Sequence, residues 1–258
     1  MILSVPPARR ILAVAALTVL LAACAHSGPR NPLATWVPSK NFDERRPVVI
    51  VLHYTEQDSV EQSLETLRSR NSGGRVSSHY LVGKDGKTYQ LVSDAKRAWH
   101  AGAGSWGAIT DVNNASIGIE IDNNGKTPYP DAQIDSLIVL LRDLTTRLRI
   151  PPTQIIGHSD LAPTRKIDPG LLFPWKRLHD AGFGLWPADT TQDPPAGFDP
   201  WLALQAIGYA VDNRADTVRA FHHRFRGMEG AELDAEDLRI LHALTRAADT
   251  PSPLPASP

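Results

Sequence analysis

Apolar residues recur with two different periods along the middle of the chain. A continuous, largely β-branched run at residues 47–53 predicts a strand buried on both faces. Residues 116–122 alternate isoleucine with polar or small residues, which predicts a second strand. Residues 131–149 place leucine and isoleucine at helical spacing and stop before two prolines, so this segment predicts the longest helix.

Shorter patterns on either side of these elements indicate a mixed fold. Residues 79–92 contain Asp85 and Gly86 between two strand-like runs, and this pair is typical of a two-residue hairpin turn. Ser59, followed three residues later by Gln62, predicts the capped start of a short helix. Because helices alternate with strands, we predict the α/β class, with a mixed central β-sheet flanked by helices.

Breaks in the pattern divide the chain into segments. Prolines and glycines concentrate between residues 186 and 197, which is typical of a linker between domains. Three short helical patterns follow, and about 50 residues are few for an independent core, so this small C-terminal three-helix module should pack on the first domain. The predicted organisation is a signal peptide at 1–23, a tether at 24–40, the main domain at 41–185, the linker at 186–197, the helical module at 198–248 and a disordered tail at 249–258.

The first residues carry a targeting pattern. Two arginines precede an apolar run at residues 11–22, which is short for a membrane-spanning helix. The run ends in Leu-Ala-Ala-Cys at 21–24 and resembles the lipobox of bacterial lipoproteins, which implies cleavage before Cys24 and a lipid anchor on it. The alternative is an ordinary signal peptide with an incidental cysteine. Because the chain has one cysteine, an internal disulfide is excluded, and Ala25 after it favours the outer membrane, facing the periplasm.

The charge balance argues against a nucleic-acid partner. Lysine and arginine number 27 against 28 acidic residues, and no basic run is dense.

Three side chains could form a metal site at one edge of the predicted sheet. His53 closes a strand, His158 follows another, and Asp168 comes ten residues after His158. Taken singly, each has an ordinary explanation: a packed histidine, or a turn aspartate before Pro-Gly. Neighbouring strand ends converge, however, and two imidazoles with one carboxylate suit Zn²⁺ and leave a fourth position open for water. The set therefore points to hydrolysis.

Two further residues could serve that chemistry. Glu120 lies on the polar side of the isoleucine strand and could accept a proton from water, or it could be a solvated strand carboxylate. Lys166 lies two residues before Asp168 and could place a cation near a developing oxyanion, or it could be an ordinary surface lysine.

The order of five motifs is the most specific feature of the sequence. Between about residues 46 and 182 they resemble the type-2 N-acetylmuramoyl-L-alanine amidases, an AmpD/AmiD-like family with the peptidoglycan-recognition-protein fold. The lipobox and the C-terminal helices resemble the outer-membrane lipoprotein branch of this family. Residues 204–225 resemble, more weakly, a helical peptidoglycan-binding module. The motifs are Val-Leu-His-Tyr-Thr at 51–55, Val-Ser-Ser-His-Tyr-Leu-Val at 76–82, Ala-Trp-His-Ala-Gly at 98–102, Asn-Ala-Ser-Ile-Gly-Ile-Glu at 114–120 and Gly-His-Ser-Asp at 157–160.

The resemblance implies a role for each candidate residue. It makes one Zn²⁺ per chain the cofactor, and it does not make His79 a ligand. The implied roles are zinc ligands at His53, His158 and Asp168, a catalytic glutamate at Glu120, an oxyanion-stabilising lysine at Lys166, and groove-lining side chains at Trp99 and His100.

The implied function is zinc-dependent hydrolysis of the amide bond between N-acetylmuramic acid and L-alanine, in peptidoglycan or muropeptides, for cell-wall turnover and recycling. A non-catalytic peptidoglycan-binding lipoprotein is the main alternative, and a structural lipoprotein that tethers the wall to the membrane is another. The competent residue types at all three ligand positions and at Glu120 favour the enzyme.

Overall fold

The structure is a computed structural model, and it describes residues 30–41, 43–44, 47–71 and 74–248. The predicted signal peptide, the lipidation site Cys24 and the predicted tail at 249–258 lie outside the described residues.

A six-stranded mixed sheet forms the centre of the described part. Its strand order is β1-β7-β6-β9-β3-β10, in which β6 and β7 are antiparallel and the other neighbours are parallel. Two small two-stranded sheets, β2-β8 and β4-β5, lie outside it. The strands are β1 (Thr35–Trp36), β2 (Asp43–Glu44), β3 (Val49–Tyr54), β4 (Arg70–Asn71), β5 (Gly74–Arg75), β6 (Tyr80–Val82), β7 (Thr88–Gln90), β8 (Lys96–Arg97), β9 (Ser116–Ile121) and β10 (Ile155–Gly157).

Eight helices accompany the sheet within the described residues. The last three form the C-terminal module, so the predicted α/β class and three-helix addition are confirmed. None of the described helices is both long and apolar enough to cross a bilayer. The helices are α1 (Val60–Arg68), α2 (Val112–Ala115), α3 (Asp131–Leu148), α4 (His158–Leu161), α5 (Trp175–Asp180), α6 (Pro200–Ile207), α7 (Arg214–Phe225) and α8 (Ala235–Ala248).

The two faces of β3 bury their side chains against different helices. Ile50 and Leu52 belong to the core cluster that includes the apolar face of α3. Val49 and Val51 belong to a second cluster with apolar side chains of α6, α7 and α8, such as Phe221. The continuous apolar run of β3 is thus explained by burial on both faces, and the C-terminal module shares a core with the sheet.

Residues 31–40, which the prediction assigned to a tether at 24–40, include a strand of the main sheet and a buried asparagine. Thr35–Trp36 pairs in parallel with β7 at the edge of the sheet. Asn31 is buried, its backbone N–H donates to the side-chain oxygen of Gln90 at 3.0 Å, and its side-chain amide donates to Asp143 at 2.8 Å. The partners of these contacts are far apart in the sequence, so no local sequence pattern predicts them.

The hairpin between β6 and β7 forms, but its predicted two-residue turn is wrong. The Gly83 N–H donates to the Lys87 carbonyl at 2.9 Å, which leaves three residues in the loop. The Gly86 N–H donates to the Gly83 carbonyl, and Gly86 has a φ of 82°. A tight turn followed by a left-handed glycine is the usual three-residue hairpin connection.

The register of the parallel strands brings three segments to one edge of the sheet. His53 of β3 is the register partner of Glu120 of β9. On the other side of β3, β10 runs in parallel and ends at Gly157, directly before His158. The candidate residues therefore meet where these strands end.

Candidate metal and catalytic site

Three ligand atoms converge at this edge. His53 Nδ1 lies 2.9 Å from His158 Nδ1 and 3.0 Å from Asp168 Oδ2, and His158 Nδ1 lies 3.1 Å from the same oxygen. The residues are 2, 2 and 6 % exposed. A search of the described residues for clusters of His, Cys, Asp or Glu side chains that could hold a metal ion finds these three. The structure thus brings together the three ligands predicted from the sequence.

A short backbone loop carries two of the three ligands. His158 opens the one-turn helix α4 immediately after β10. The N–H of Ser159 donates to the carbonyl of Asp168 at 2.9 Å, so the two ends of the loop are joined next to the ligands. We call residues 158–168 the ligand loop.

The proton on His158 is placed by its other ring nitrogen. His158 Nε2 lies 2.8 Å from the carbonyl oxygen of Ala101. Because a carbonyl only accepts, Nε2 donates this bond, and Nδ1 of the neutral ring is left with a free electron pair. That electron pair is directed at the convergence point.

A chain of four groups places the proton on His53 in the same way. Ser116 Oγ donates to the Val112 carbonyl at 2.5 Å, so its electron pairs accept from His100 Nε2 at 3.1 Å. His100 Nδ1 then accepts from His53 Nε2 at 3.0 Å. With its proton on Nε2, neutral His53 also directs a bare Nδ1 at the convergence point.

The three converging groups fit a divalent cation. Burial, and then the charge of His158, lower the pKa of His53 to about 4, so its imidazole is neutral at pH 7. Burial by itself would raise the pKa of Asp168, but contacts with His158 and His53 outweigh it and hold the pKa well below its ordinary value. Two imidazole nitrogens and one carboxylate oxygen at these distances match the ligands of Zn²⁺, with a position to spare.

Glu120 has the environment of a group that exchanges protons. Its Oε2 is buried and has no hydrogen-bond partner among the described residues. Burial, and then the charge of Asp168, raise the pKa of Glu120 well above its ordinary value, while Lys166 acts in the opposite direction. A carboxyl whose pKa is moved towards neutrality can both take and return a proton.

A cleft of about 440 Å³ opens over these groups. Lys166 is half-buried in its wall, and its charge acts on both His53 and Glu120. Trp99 and His100 line the same cleft, and the Arg75 guanidinium stacks 4.8 Å from the centre of the Trp99 ring. The cleft therefore lies directly beside the three converging side chains.

The contact of His100 with His53 was missed by sequence reasoning. A Cβ atom on Gly118 would lie 2.4 Å from Cγ of His100, so the ring occupies the space that any other residue at 118 would fill. The glycine within the alternating strand was the available signal. His79, by contrast, is fully buried behind the site, where its Nδ1 accepts from the Gly118 N–H at 2.9 Å.

We expect His100→Ala to weaken zinc binding by roughly 10- to 100-fold, the usual cost of losing the partner that orients a ligand histidine. Competition with a chromophoric chelator measures the affinity. His179→Ala, which removes a half-buried histidine stacked on Trp186, is the matched control. Unchanged affinity in His100→Ala would show that the hydrogen-bond chain does not orient His53.

Comparison with known proteins identifies related sequences. The sequence profile of a family described as N-acetylmuramoyl-L-alanine amidase matches residues 43–171. The N-acetylmuramoyl-L-alanine amidase AmiD of Escherichia coli strain K12 is 35% identical and is aligned over 92% of this chain and 97% of its own length.

Solved structures agree with the sequence comparison. The complex of E. coli AmiD with the substrate anhydro-N-acetylmuramic acid-L-Ala-D-gamma-Glu-L-Lys superposes with a TM-score of 0.68 at 32% identity, and the match covers 87% of this chain and 93% of that one. AmpDh3 of Pseudomonas aeruginosa, in complex with an anhydromuramic pentapeptide, gives a TM-score of 0.71 at 30% identity, over 87% of this chain and 97% of that one.

Proposed function

The chain belongs to the N-acetylmuramoyl-L-alanine amidase family. We propose that it hydrolyses the amide bond between N-acetylmuramic acid and L-alanine, and that it does so with one Zn²⁺ held by His53, His158 and Asp168. The family membership supports amidase activity on peptidoglycan or muropeptides. The observation that carries the zinc proposal is the convergence of two bare imidazole nitrogens and one carboxylate oxygen within 3.1 Å of one another.

The residues of the chain divide the chemistry among them. Zinc, when bound, supplies a Lewis acid that activates water and polarises the amide carbonyl. Glu120 takes the proton from the attacking water and returns it to the nitrogen of L-alanine as the bond to the muramoyl group breaks. Lys166 places its positive charge beside the carbonyl oxygen as that oxygen becomes negative.

We expect Lys166→Ala to lower kcat by about 100-fold with little change in KM, because the charge on the carbonyl oxygen develops only in the transition state. Steady-state kinetics on a soluble muropeptide measure both constants. Lys166→Arg should recover part of the loss, and Lys176→Ala, which removes an exposed lysine on α5, should behave as wild type. A rise in KM with kcat unchanged would assign Lys166 to substrate binding instead.

The proposed substrates are muropeptides, including anhydro forms, and the proposed role is cell-wall turnover and recycling. Two similar structures contain anhydromuramoyl peptides, and these support the assignment. Digestion of sacculi and of purified anhydro-muropeptides, followed by mass spectrometry, tests it. Release of stem peptides that begin with L-alanine is expected. Intact muramoyl–peptide bonds in the presence of bound zinc would favour the non-catalytic binding protein.

We also propose that Cys24 carries a lipid anchor that holds the protein at the outer membrane, facing the periplasm. The lipobox sequence at residues 21–24 supports this proposal. Wild type should fractionate with outer membranes, and Cys24→Ser should not. Equal fractionation of the two proteins would contradict it.

A further inference from the structure

A buried polar cluster lies behind the metal ligands. Asp160 follows His158 by two residues, is 1% exposed, and lies under the C-terminal module. Its Oδ1 accepts from the Tyr209 hydroxyl at 2.6 Å. Its Oδ2 accepts from Arg224 at 2.6 Å and from the backbone N–H of Gly157 at 2.7 Å. Both carboxylate oxygens therefore bind the module, and one also holds the backbone next to His158.

Arg224 connects α7 to the end of β10 as well as to Asp160. The guanidinium is buried, donates to the carbonyl of Ile155 at 3.0 Å, and stacks 4.3 Å from the centre of the Trp175 ring. A planar guanidinium with several donors can hold a carboxylate and a carbonyl at a fixed angle. This single side chain thus fixes the strand that leads into His158 relative to the first turn of α4.

A further contact reaches the middle of the ligand loop. Arg219, five residues before Arg224 on α7, donates to the carbonyl of Pro163 at 3.0 Å. The module therefore binds the loop near His158 and again halfway towards Lys166 and Asp168.

Packing alone does not explain these bonds. The module already shares an apolar core with the sheet, to which Leu204, Phe221 and Leu241 contribute fully buried side chains. Burying an ion pair costs solvation that apolar residues of similar size would not, so a pair at this position is poorly explained by stability. Hydrogen bonds to the Asp160 carboxylate do fix the orientation of the backbone beside it. His158 needs a fixed orientation if its Nδ1 is to meet the other ligands.

We propose that the C-terminal module positions the zinc ligands, with Tyr209 and Arg224 acting as positioning residues on His158 through Asp160. This inference rests on the proposed zinc site and gives the module a task at that site, whether or not it also touches peptidoglycan. The test uses the full mature chain, with zinc as the probe and no substrate.

Tyr209→Phe is the mild variant, because the ring keeps its edge contact with Trp106 and loses only the hydroxyl. Zinc affinity should fall roughly tenfold, and Arg224→Met should lower it further, towards 100-fold. Arg224→Lys keeps a charge for Asp160 but not the planar fork, so it should lie between Arg224→Met and wild type. Chelator competition gives the affinity, and thermal unfolding of the zinc-free protein gives the stability.

Two controls lower stability without touching Asp160. Ile240→Val is matched to Tyr209→Phe, and Leu241→Ala to Arg224→Met; both positions are buried and apolar in α8. The controls should melt earlier than wild type yet bind zinc as tightly. Wild-type zinc affinity in Tyr209→Phe and Arg224→Met, or losses equal to those of the controls, would overturn the inference alone. A wild-type chain that binds no zinc would overturn the proposed function and this inference together.

Discussion

Glu120→Gln is expected to lower kcat by about 10²- to 10⁴-fold while zinc remains bound at wild-type affinity. The amide keeps the shape of the side chain but cannot accept a proton from water, and proton transfer by a placed group contributes a factor of this size. None of the three converging ligand atoms belongs to Glu120, so the metal site should survive. Steady-state hydrolysis of a muropeptide and metal analysis of the same sample measure the two effects.

The dependence on pH distinguishes proton transfer from a structural effect of this variant. Because Glu120 must be ionised to accept a proton, kcat/KM of the wild type should rise with pH through the pKa of this group. Burial raises that pKa, which moves the acidic limb of the profile to higher pH than for an exposed glutamate. The limb should be missing in Glu120→Gln and unchanged in Glu61→Gln, which alters an exposed residue of α1. Near-wild-type turnover in Glu120→Gln would remove Glu120 from the mechanism.

Asp168→Ala is expected to abolish detectable activity and to weaken zinc binding by more than about 100-fold. The loss should exceed the 10- to 100-fold cost of an orienting partner, because a ligand itself and its negative charge are removed. Nδ1 of His53 and Nδ1 of His158 remain 2.9 Å apart, but no negative charge is left beside them to balance the charge of the cation.

Zinc content after dialysis, followed by activity measured with added zinc, checks this expectation. Asp193→Ala removes a largely exposed aspartate of the predicted linker and should retain both properties. Asp168→Asn separates charge from shape, since it keeps an oxygen in place but carries no charge. Full activity in Asp168→Ala after extensive dialysis would contradict the ligand assignment.

Sequence reasoning located the candidate site because its parts lie at strand ends that carry strong periodic patterns. His53 ends a strand that is apolar on both faces, and Glu120 lies on the polar side of a strand whose other side is isoleucine. Two parallel neighbours of β3 bring their carboxyl ends to one edge, so the strand pattern alone predicts this convergence.

Contacts between distant segments could not be obtained in this way. Thr35–Trp36 is too short to carry a period, so its pairing with β7 is settled by tertiary contacts alone. Asp160 meets Tyr209 and Arg224 across 49 and 64 residues. Nothing local to Asp160 distinguishes it from a helix-capping aspartate, because it also makes that bond, to Gly157.

The register between β3 and β9 sets a rule for how the chain can change length. His53 and Glu120 are partners on hydrogen-bonded neighbours, so the strand spacing alone fixes the separation of ligand and proton acceptor. Segments between the strands can gain or lose residues without altering it. A single deletion inside β9 ahead of Glu120, by contrast, would turn that carboxylate to the opposite face. Insertions should therefore be tolerated in the loops and forbidden in these two strands.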